Sequence, residues 1–211
     1  MKILIADDHA VVRHGLKQIL ADEFKLAVFG EASTGEDALN KIFKDKWDVV
    51  VLDITMPGRS GLEVLKEIKK FRPKLPVLVL SMHPEDQFAV RVLRAGGAGY
   101  LTKESAPQEL VHAIKTIWKG GKYISPNTAE LLVAHLHQHG DSDQPLHNSL
   151  SDREHQVFSL IATGHTITDI SDQLSLSVKT ISTYRSRILT KLNLKTNADL
   201  ARYALQHRIV E

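Results

Sequence analysis

Short apolar runs alternate with amphipathic stretches from the start of the chain to residue 120. Near-continuous apolar runs that end at turns are typical of parallel strands covered on both faces of a sheet. The stretches between them place apolar residues at helical spacing, as at Leu62, Leu65 and Ile68. Five strand–helix repeats predict an α/β fold, a doubly wound five-stranded parallel sheet. The predicted strands are Lys2–Ala6, Leu26–Glu31, Asp48–Leu52, Leu75–Leu80 and Gly99–Leu101, and the predicted helices are 10–21, 35–45, 61–71, 85–95 and 106–119.

The last third of the chain has a helical pattern throughout. Ser151 and Glu154 have the spacing of a capping box, in which the serine caps the helix and the glutamate reaches back. Four helices are predicted, near 152–163, 166–174, 178–192 and 197–207. Only Ser175–Ser177 separates the second from the third. Two short helices joined by so short a turn, the second of them basic, indicate a helix-turn-helix in a small all-α domain.

A further helix is predicted between these two regions. Ser125 and Pro126 have the pattern of an N-cap followed by proline at the first helical position. Residues 139–149 are polar and contain glycine and proline, which indicates a domain boundary. The apolar residues of this helix lie on one face, at Ala129, Leu132, Val133 and Leu136. The predicted organisation is a first domain over 1–120, a linker with a helix over 121–148, and a helix-turn-helix domain over 149–211.

The composition excludes several classes of protein. The 211 residues include no cysteine, which excludes disulfides, thiolate zinc sites and thiol nucleophiles. No run reaches the roughly 18 apolar residues of a membrane span, and Asp7 and Asp8 come too early for a signal-peptide core. We therefore expect a soluble, cytoplasmic protein with no membrane insertion. His135, His137 and His139 alternate along a predicted helix and point to different sides, which disfavours a metal site there.

The charge of the chain is unevenly distributed. Its net charge is only +2, from 27 basic and 25 acidic residues. Between Ser177 and Lys195, however, there are five basic residues and no acidic one. Solvated helix faces usually mix the two signs. This segment therefore favours contact with nucleic acid.

Polar residues follow or close the predicted strands of the first domain. In a doubly wound sheet the carboxyl ends of the strands form the functional crevice, so these side chains should converge there. Clustered carboxylates with no nearby arginine repel one another and favour a hard divalent cation such as Mg²⁺. A carboxylate can also act as a nucleophile toward phosphorus, with positive charge on the phosphoryl oxygens. The residues are Asp7 and Asp8 after the first strand, Asp53 closing the third, Ser81 at the end of the fourth and Lys103 after the fifth.

Two sets of motifs resemble known domains. The first set resembles the receiver domain of two-component response regulators, through Asp7-Asp8, Asp53–Gly58, Ser81 and Tyr100–Lys103. The second resembles the LuxR-type helix-turn-helix, through Leu150–Glu154 and Val178–Leu189. Together they cover nearly the whole chain and resemble the NarL/FixJ class. The resemblance implies a flavodoxin-like receiver and a phosphorylation-controlled transcription regulator, which is not an enzyme beyond its own phosphoryl transfer and dephosphorylation.

The resemblance also implies roles for the residues of the first domain. Asp53 would be the phosphoacceptor. Asp8, Asp53 and the backbone carbonyl of Thr55 would bind Mg²⁺ or Mn²⁺, and Asp7 would assist directly or through water. The implied partners are a sensor histidine kinase as phosphodonor, double-stranded DNA, and a second copy of the chain once phosphorylated.

Three further residues would carry the phosphorylation signal if the resemblance holds. Lys103 would pair with the phosphoryl group. Ser81 would move its hydroxyl toward the phosphate, and the Tyr100 ring would turn inward. Serine stands where threonine is commoner in the family, which keeps the hydroxyl and omits the methyl.

The third helix of the C-terminal domain separates into two faces at 100° per residue. The predicted core face consists of Val178, Ile181, Tyr184, Ile188 and Leu192. The predicted DNA-binding residues are Lys179, Ser182, Thr183, Ser186, Arg187, Thr190 and Lys191. Small polar residues on this face allow close approach to base edges, and the cations reach bases or phosphates. Arg185 lies nearer the core side, where either a packing or a phosphate-binding role fits.

Two other functions remain open at the level of sequence. A phosphohydrolase of the haloacid-dehalogenase type would use Asp53 as its nucleophile, but it would need a second acid at position 55, where Thr55 stands. A DNA-binding protein with a vestigial receiver would not need the full acidic cluster. A phosphorylation assay with acetyl phosphate separates these alternatives.

Overall fold

The computed structural model describes residues 1–137, 145–207 and 209–210, with the backbone alone at 135–137 and 148. The chain divides into two compact units, Met1–Ala134 and the residues from His135 onward. The histidine run at 135–139 therefore lies outside the described side chains. Among the described ranges, no helix has both the length and the apolar character that crossing a membrane requires.

The first unit contains a five-stranded parallel sheet with the strand order β2-β1-β3-β4-β5. Its strands are β1 Lys2–Ala6, β2 Val28–Ala32, β3 Val49–Asp53, β4 Val77–Ser81 and β5 Gly99–Thr102. The predicted doubly wound fold is confirmed. β3, β4 and β5 run on to a polar residue at their carboxyl ends, whereas the predicted strands stop at the last apolar residue. The strands continue because Asp53 still pairs with Leu80, and Ser81 with Thr102.

Helices cover both faces of the sheet. Successive strand residues point to opposite faces, so each strand contributes side chains to both helical layers. Leu4 and Leu52 pack with α2–α4 on one side, and Ile3 and Val51 pack with α1 and α5 on the other. The helices are α1 Ala10–Glu23, α2 Gly35–Lys44, α3 Gly61–Phe71, α4 Glu85–Arg94 and α5 Ala106–Trp118, followed by α6 Pro126–His137.

The helix α6 begins at Pro126, as its N-cap pattern predicts, but a different face is buried. Ala129 and Val133 of the predicted apolar face are exposed. The buried side chains are those of Ser125 and Thr128, both polar. The start of the helix is therefore held by hydrogen bonds of polar side chains and not by its apolar face.

The second unit consists of four helices around one apolar core. They are α7 Asp152–Ala162, α8 Ile167–Leu174, α9 Val178–Leu192 and α10 Asn197–Gln206, preceded by a short 3₁₀ turn at Leu146–Ser149. The predicted capping box at Ser151 and Glu154 is present. Ser175 ends α8 in the left-handed conformation, with φ of 51°, which allows α9 to begin three residues later. This is the predicted helix-turn-helix.

Candidate functional site: an acidic crevice and a basic helix

Three of the predicted site residues meet at the carboxyl edge of the sheet. Asp7 follows β1, Asp53 closes β3 and Lys103 follows β5. The Lys103 Nζ lies 2.7 Å from Asp7 Oδ2 and 2.8 Å from Asp53 Oδ2. Both carboxylates are only 1% exposed. The parallel strands therefore bring Asp53 beside Asp7, 46 positions before it, and beside Lys103, 50 positions after it.

A third acid and a histidine complete the cluster. Asp8 is partly exposed, and its Oδ1 lies 2.8 Å from the Nδ1 of His9. Ligand atoms of Asp7, Asp8, His9 and Asp53 all lie within 4.8 Å of one another. Most of these donors are carboxylate oxygens, which fits a hard cation such as Mg²⁺. His9 is not among the residues predicted from the sequence, although its position directly after the paired acids was a visible signal.

An arginine lies close behind the acidic pair, contrary to the expectation of carboxylates without one. Arg13 Nη1 donates to the backbone carbonyl of Asp7 at 2.8 Å and to that of Asp8 at 3.3 Å. Its Nε donates to Glu31 Oε2 at 3.2 Å. Arg13 thus holds the backbone of the loop after β1 and leaves both carboxylate groups pointing into the crevice. The contacts of Arg13 with the carbonyls of Asp7 and Asp8 depend on how the loop folds back over the start of α1, so the sequence alone does not show them.

The electrostatic environment of Asp53 reflects its burial. Burial raises the pKa of Asp53 to about 6, against the opposing attraction of Lys103, and the neighbouring Asp7 raises it further. The backbone N–H of Thr55 donates to Asp53 Oδ1 at 3.1 Å. Only the Oδ2 contacts Lys103, so the two oxygens of this carboxylate have different partners.

The loop after β3 depends on a glycine that the sequence analysis did not single out. Gly61 begins α3, and its N–H donates to the carbonyl of Ile54 at 2.8 Å. A Cβ at this position would lie 1.9 Å from the carbonyl oxygen of Asp53. The helix start therefore packs directly against the backbone that presents Asp53. The signal in the sequence was the Ser60-Gly61 pair, a cap residue followed by the smallest residue.

The predicted switch residues Ser81 and Tyr100 lie side by side behind the crevice. Both are buried. Ser81 Oγ accepts a hydrogen bond from the N–H of His83 at 3.1 Å, and the Tyr100 hydroxyl donates to the carbonyl of His83 at 2.7 Å. Burial raises the pKa of Tyr100, so the phenol stays protonated and can donate. The ring already occupies the inward position that the resemblance assigns to the phosphorylated state.

The exposed face of α9 presents two kinds of polar group. Lys179, Ser182 and Arg187 are exposed, and within the described residues their side chains have no hydrogen-bond or ion-pair partner. Three hydroxyls instead donate to carbonyls four residues earlier in the helix. These pairs are Thr183 with Lys179, Ser186 with Ser182, and Thr190 with Ser186, at 2.9 to 3.1 Å. Because these hydroxyls already donate within the helix, the three side chains present methyl groups, methylenes and oxygen lone pairs to a ligand.

Two basic side chains of α9 are used within the second unit. Lys191 Nζ lies 2.6 Å from Glu154 Oε2, a carboxylate that also caps α7. This placement differs from the prediction that Lys191 reaches bases or phosphates. Arg185 Nε donates to Asn197 Oδ1 at 2.6 Å, which corresponds to the packing role among its two predicted roles.

The core face of α9 largely follows the prediction. Ile181, Ile188 and Leu192 are buried. Val178 is 49% exposed, so its assignment to the core is wrong. Val178 is the first residue of α9, whereas Leu189, close to the other end of the helix, is buried.

Comparison with known proteins covers both units. The family described as the response regulator receiver domain matches residues 3–115, and the luxR family of bacterial regulatory proteins matches residues 148–204. The response regulator GacA of Pseudomonas aeruginosa is 41% identical over all of this chain and 98% of its own length. The response regulator UvrY of Escherichia coli is 38% identical over 98% of this chain and 94% of its own.

A solved structure aligns with nearly the whole chain. RcsB from Salmonella enterica serovar Typhimurium, bound to the promoter rprA in the presence of the phosphomimetic BeF₃⁻, is 27% identical to this chain. It aligns with a TM-score of 0.62 over 96% of this chain and 98% of that one. The acidic crevice with its lysine, the basic helix-turn-helix and these matches lead to one conclusion. The chain belongs to the response regulators of two-component systems, in the NarL/FixJ family that joins a receiver to a LuxR-type DNA-binding domain.

Proposed function

We propose that Asp53 accepts a phosphoryl group from a sensor histidine kinase, and that this event controls DNA binding by α9. The observation that carries the proposal is the contact of Lys103 with both Asp53 and Asp7 at the carboxyl edge of the sheet. In this proposal residues 1–120 are the receiver, 121–148 the linker, and 149–211 the DNA-binding domain. The division keeps phosphoryl chemistry and DNA contact on separate parts of the chain.

The proposed phosphoryl transfer forms a bond between an Asp53 carboxylate oxygen and phosphorus. The bond from phosphorus to the imidazole nitrogen of the kinase breaks, and the nitrogen keeps the electron pair. Lys103 supplies positive charge beside the incoming phosphoryl oxygens, and Ser81 supplies a hydroxyl donor once it turns toward them. Asp7, Asp8, Asp53 and the Thr55 carbonyl would hold Mg²⁺ or Mn²⁺, which adds positive charge at the same oxygens when bound.

Incubation with acetyl phosphate and Mg²⁺, followed by intact-mass measurement, tests this proposal. We expect the mass of one phosphoryl group to accumulate on the protein. A phosphohydrolase would instead release phosphate continuously with many turnovers. The absence of an acid at position 55, where Thr55 stands, supports the regulator over that enzyme.

We propose that α9 enters the major groove of double-stranded DNA, with Lys179 and Arg187 as its cationic contacts. The part of this face that approaches the base edges most closely consists of Ser182, Thr183, Ser186 and Thr190. We assign Lys191 to its ion pair with Glu154, the carboxylate that caps α7. One reading helix of 15 residues gives limited affinity. Two copies related by a two-fold axis would read an inverted repeat and gain affinity through effective concentration. RcsB bound to promoter DNA is consistent with this proposal.

Lys179→Ala and Lys195→Ala should affect DNA binding differently. Lys179 lies on the exposed face at the start of α9, where base edges are nearest. Its loss should weaken binding to the preferred site by about 1–3 kcal/mol and relax sequence preference. Lys195 follows the helix and attracts DNA phosphates. Its loss should therefore weaken binding to all DNA sequences alike and reduce the slope of log affinity against log salt concentration by about 1.

Fluorescence anisotropy at several salt concentrations measures both variants, with a site selected from random DNA and with a scrambled duplex. The two variants serve as controls for each other because each removes one positive charge. An unchanged affinity of Lys179→Ala for the selected site would show that the docking face is misassigned.

A further inference from the structure

We infer that Glu85, Ser125 and Thr128 form a latch that holds the start of α6 on the receiver, and that phosphorylation of Asp53 opens it. The inference rests on the proposed function, since it supplies the route by which that modification reaches the linker. The latch is defined as the Glu85 carboxylate and the two hydroxyls bound to it.

The contacts of the latch join the first residue of α4 to the first turn of α6. The Ser125 hydroxyl donates to Glu85 Oε2 at 2.5 Å, and the Thr128 hydroxyl donates to the same oxygen at 2.7 Å. Ser125 Oγ also accepts the N–H of Thr128 at 3.0 Å, so this serine caps the helix and binds the carboxylate at once. Ser125 is 6% exposed and Thr128 1% exposed. Hydrogen bonds to an ionised carboxylate are stronger than neutral ones, and burial keeps water from replacing them.

The segment before α6 is fixed to the receiver by a second set of contacts. Tyr123 pairs with Gly99 beside β5, the edge strand of the sheet. The N–H of Tyr123 donates to the carbonyl of Ala98 at 2.8 Å, and its hydroxyl donates to Glu109 of α5 at 2.5 Å. The chain therefore reaches Ser125 in a defined position, and the latch then holds the first turn of α6 against Glu85 at the start of α4.

A short series of contacts leads from the phosphoacceptor to the latch. The N–H of Lys103 donates to the carbonyl of Ser81 at 2.7 Å, so the residue that contacts Asp53 is tied to the end of β4. The Ser81 hydroxyl accepts from His83, whose carbonyl accepts from Tyr100. Glu85 follows His83 by two residues, separated only by Pro84.

These contacts connect a movement of Ser81 to a movement of Glu85. When the Ser81 hydroxyl turns to a phosphoryl group on Asp53, it gives up the N–H of His83. The loop before α4 then loses this attachment to the end of β4, and Glu85 lies at the end of that loop. Because two hydroxyls depend on a single oxygen of Glu85, a small displacement of this residue breaks both contacts. The start of α6 is released while Tyr123 keeps the linker beside β5.

Hydrogen exchange in the full-length protein tests the latch, since amide exchange reports local opening. Peptides that cover 126–134 should exchange at least about 10-fold faster after treatment with acetyl phosphate and Mg²⁺, because loss of one charge-assisted hydrogen bond already gives this ratio and opening of the latch removes two. Glu85→Gln and Thr128→Val should show this faster exchange without phosphodonor. Thr128→Val keeps the side-chain shape and removes only the hydroxyl, whereas a change at Ser125 would also remove the helix cap. Glu130→Gln is the matched control, because Glu130 lies on the exposed side of the same helix.

Intact-mass measurement on the same samples separates the latch from the function on which it rests. Full phosphorylation with unchanged exchange over 126–134 would overturn the latch and leave the proposed function intact. Exchange in Glu85→Gln equal to that of Glu130→Gln would also overturn it. An absence of any added phosphoryl group would overturn the proposed function itself, and with it the opening of the latch by phosphorylation.

Discussion

Asp53→Asn should accept no phosphoryl group under conditions in which the wild-type protein accepts one. Asp53 is the buried carboxylate that closes the central strand β3, and Lys103 and Asp7 lie beside it. An amide of the same shape lacks the nucleophilic oxygen anion that attacks phosphorus. Intact-mass measurement after incubation with acetyl phosphate and Mg²⁺ reads the result directly. EDTA should prevent labelling of the wild-type protein in the same assay.

Asp45→Asn is the matched control for this experiment. Asp45 is exposed at the end of α2, so the same chemical change there should leave labelling at the wild-type level. Thermal unfolding of both variants shows whether the fold is kept. Labelling of Asp53→Asn equal to that of the wild-type protein would contradict the assignment of the phosphoacceptor.

Gly61→Ala should destabilise the receiver and impair phosphorylation together. The added methyl group would lie 1.9 Å from the Asp53 carbonyl oxygen, a backbone atom that cannot rotate away. Inserting one methyl group into such a packed position costs about 1–3 kcal/mol of unfolding free energy. Urea unfolding followed by tryptophan fluorescence measures the loss. Both tryptophans of the chain, Trp47 and Trp118, lie in the first unit and report on it.

The same substitution at Gly15 provides the control. Gly15 lies inside α1, and a Cβ there would meet no atom within 4 Å. Alanine is favoured over glycine in a helix interior by about 1 kcal/mol, so Gly15→Ala should stabilise the receiver. A Gly61→Ala variant as stable as Gly15→Ala would contradict the close packing of α3 against the Asp53 backbone.

The order of the elements could be predicted because each depends on a local pattern. Runs of apolar residues between turns indicate the strands, and Ser151 with Glu154 indicates the start of α7. The ends of the strands were less accurate. The apolar runs stop at Leu52 and Leu80, whereas backbone pairing with the neighbouring strand extends through Asp53 and Ser81. Polarity reports burial, whereas strand length depends on pairing that a single sequence does not show.

Most of the site features that could not be predicted from the sequence are contacts between distant segments. Lys191 was predicted to face DNA from its angle on α9, but the folded domain places Glu154 of another helix beside it. Arg13 reaches backward to backbone carbonyls, which have no signature in the sequence. The apolar face of α6 is visible in the sequence, whereas the hydrogen bonds that bury Ser125 and Thr128 at its start depend on Glu85 of another helix.

The affinity of the full-length protein for its own operator, measured before and after phosphorylation, tests the central claim most directly. The operator is selected from random DNA with the phosphorylated protein, and sedimentation on the same samples gives the oligomeric state. We predict that phosphorylated protein sediments as a dimer and binds on the order of 100-fold more tightly, the lower range of gain from joining two binding modules. Asp53→Asn should remain at the unphosphorylated affinity whether or not acetyl phosphate is present. Unphosphorylated protein that is equally dimeric and binds the same operator as tightly would contradict the account.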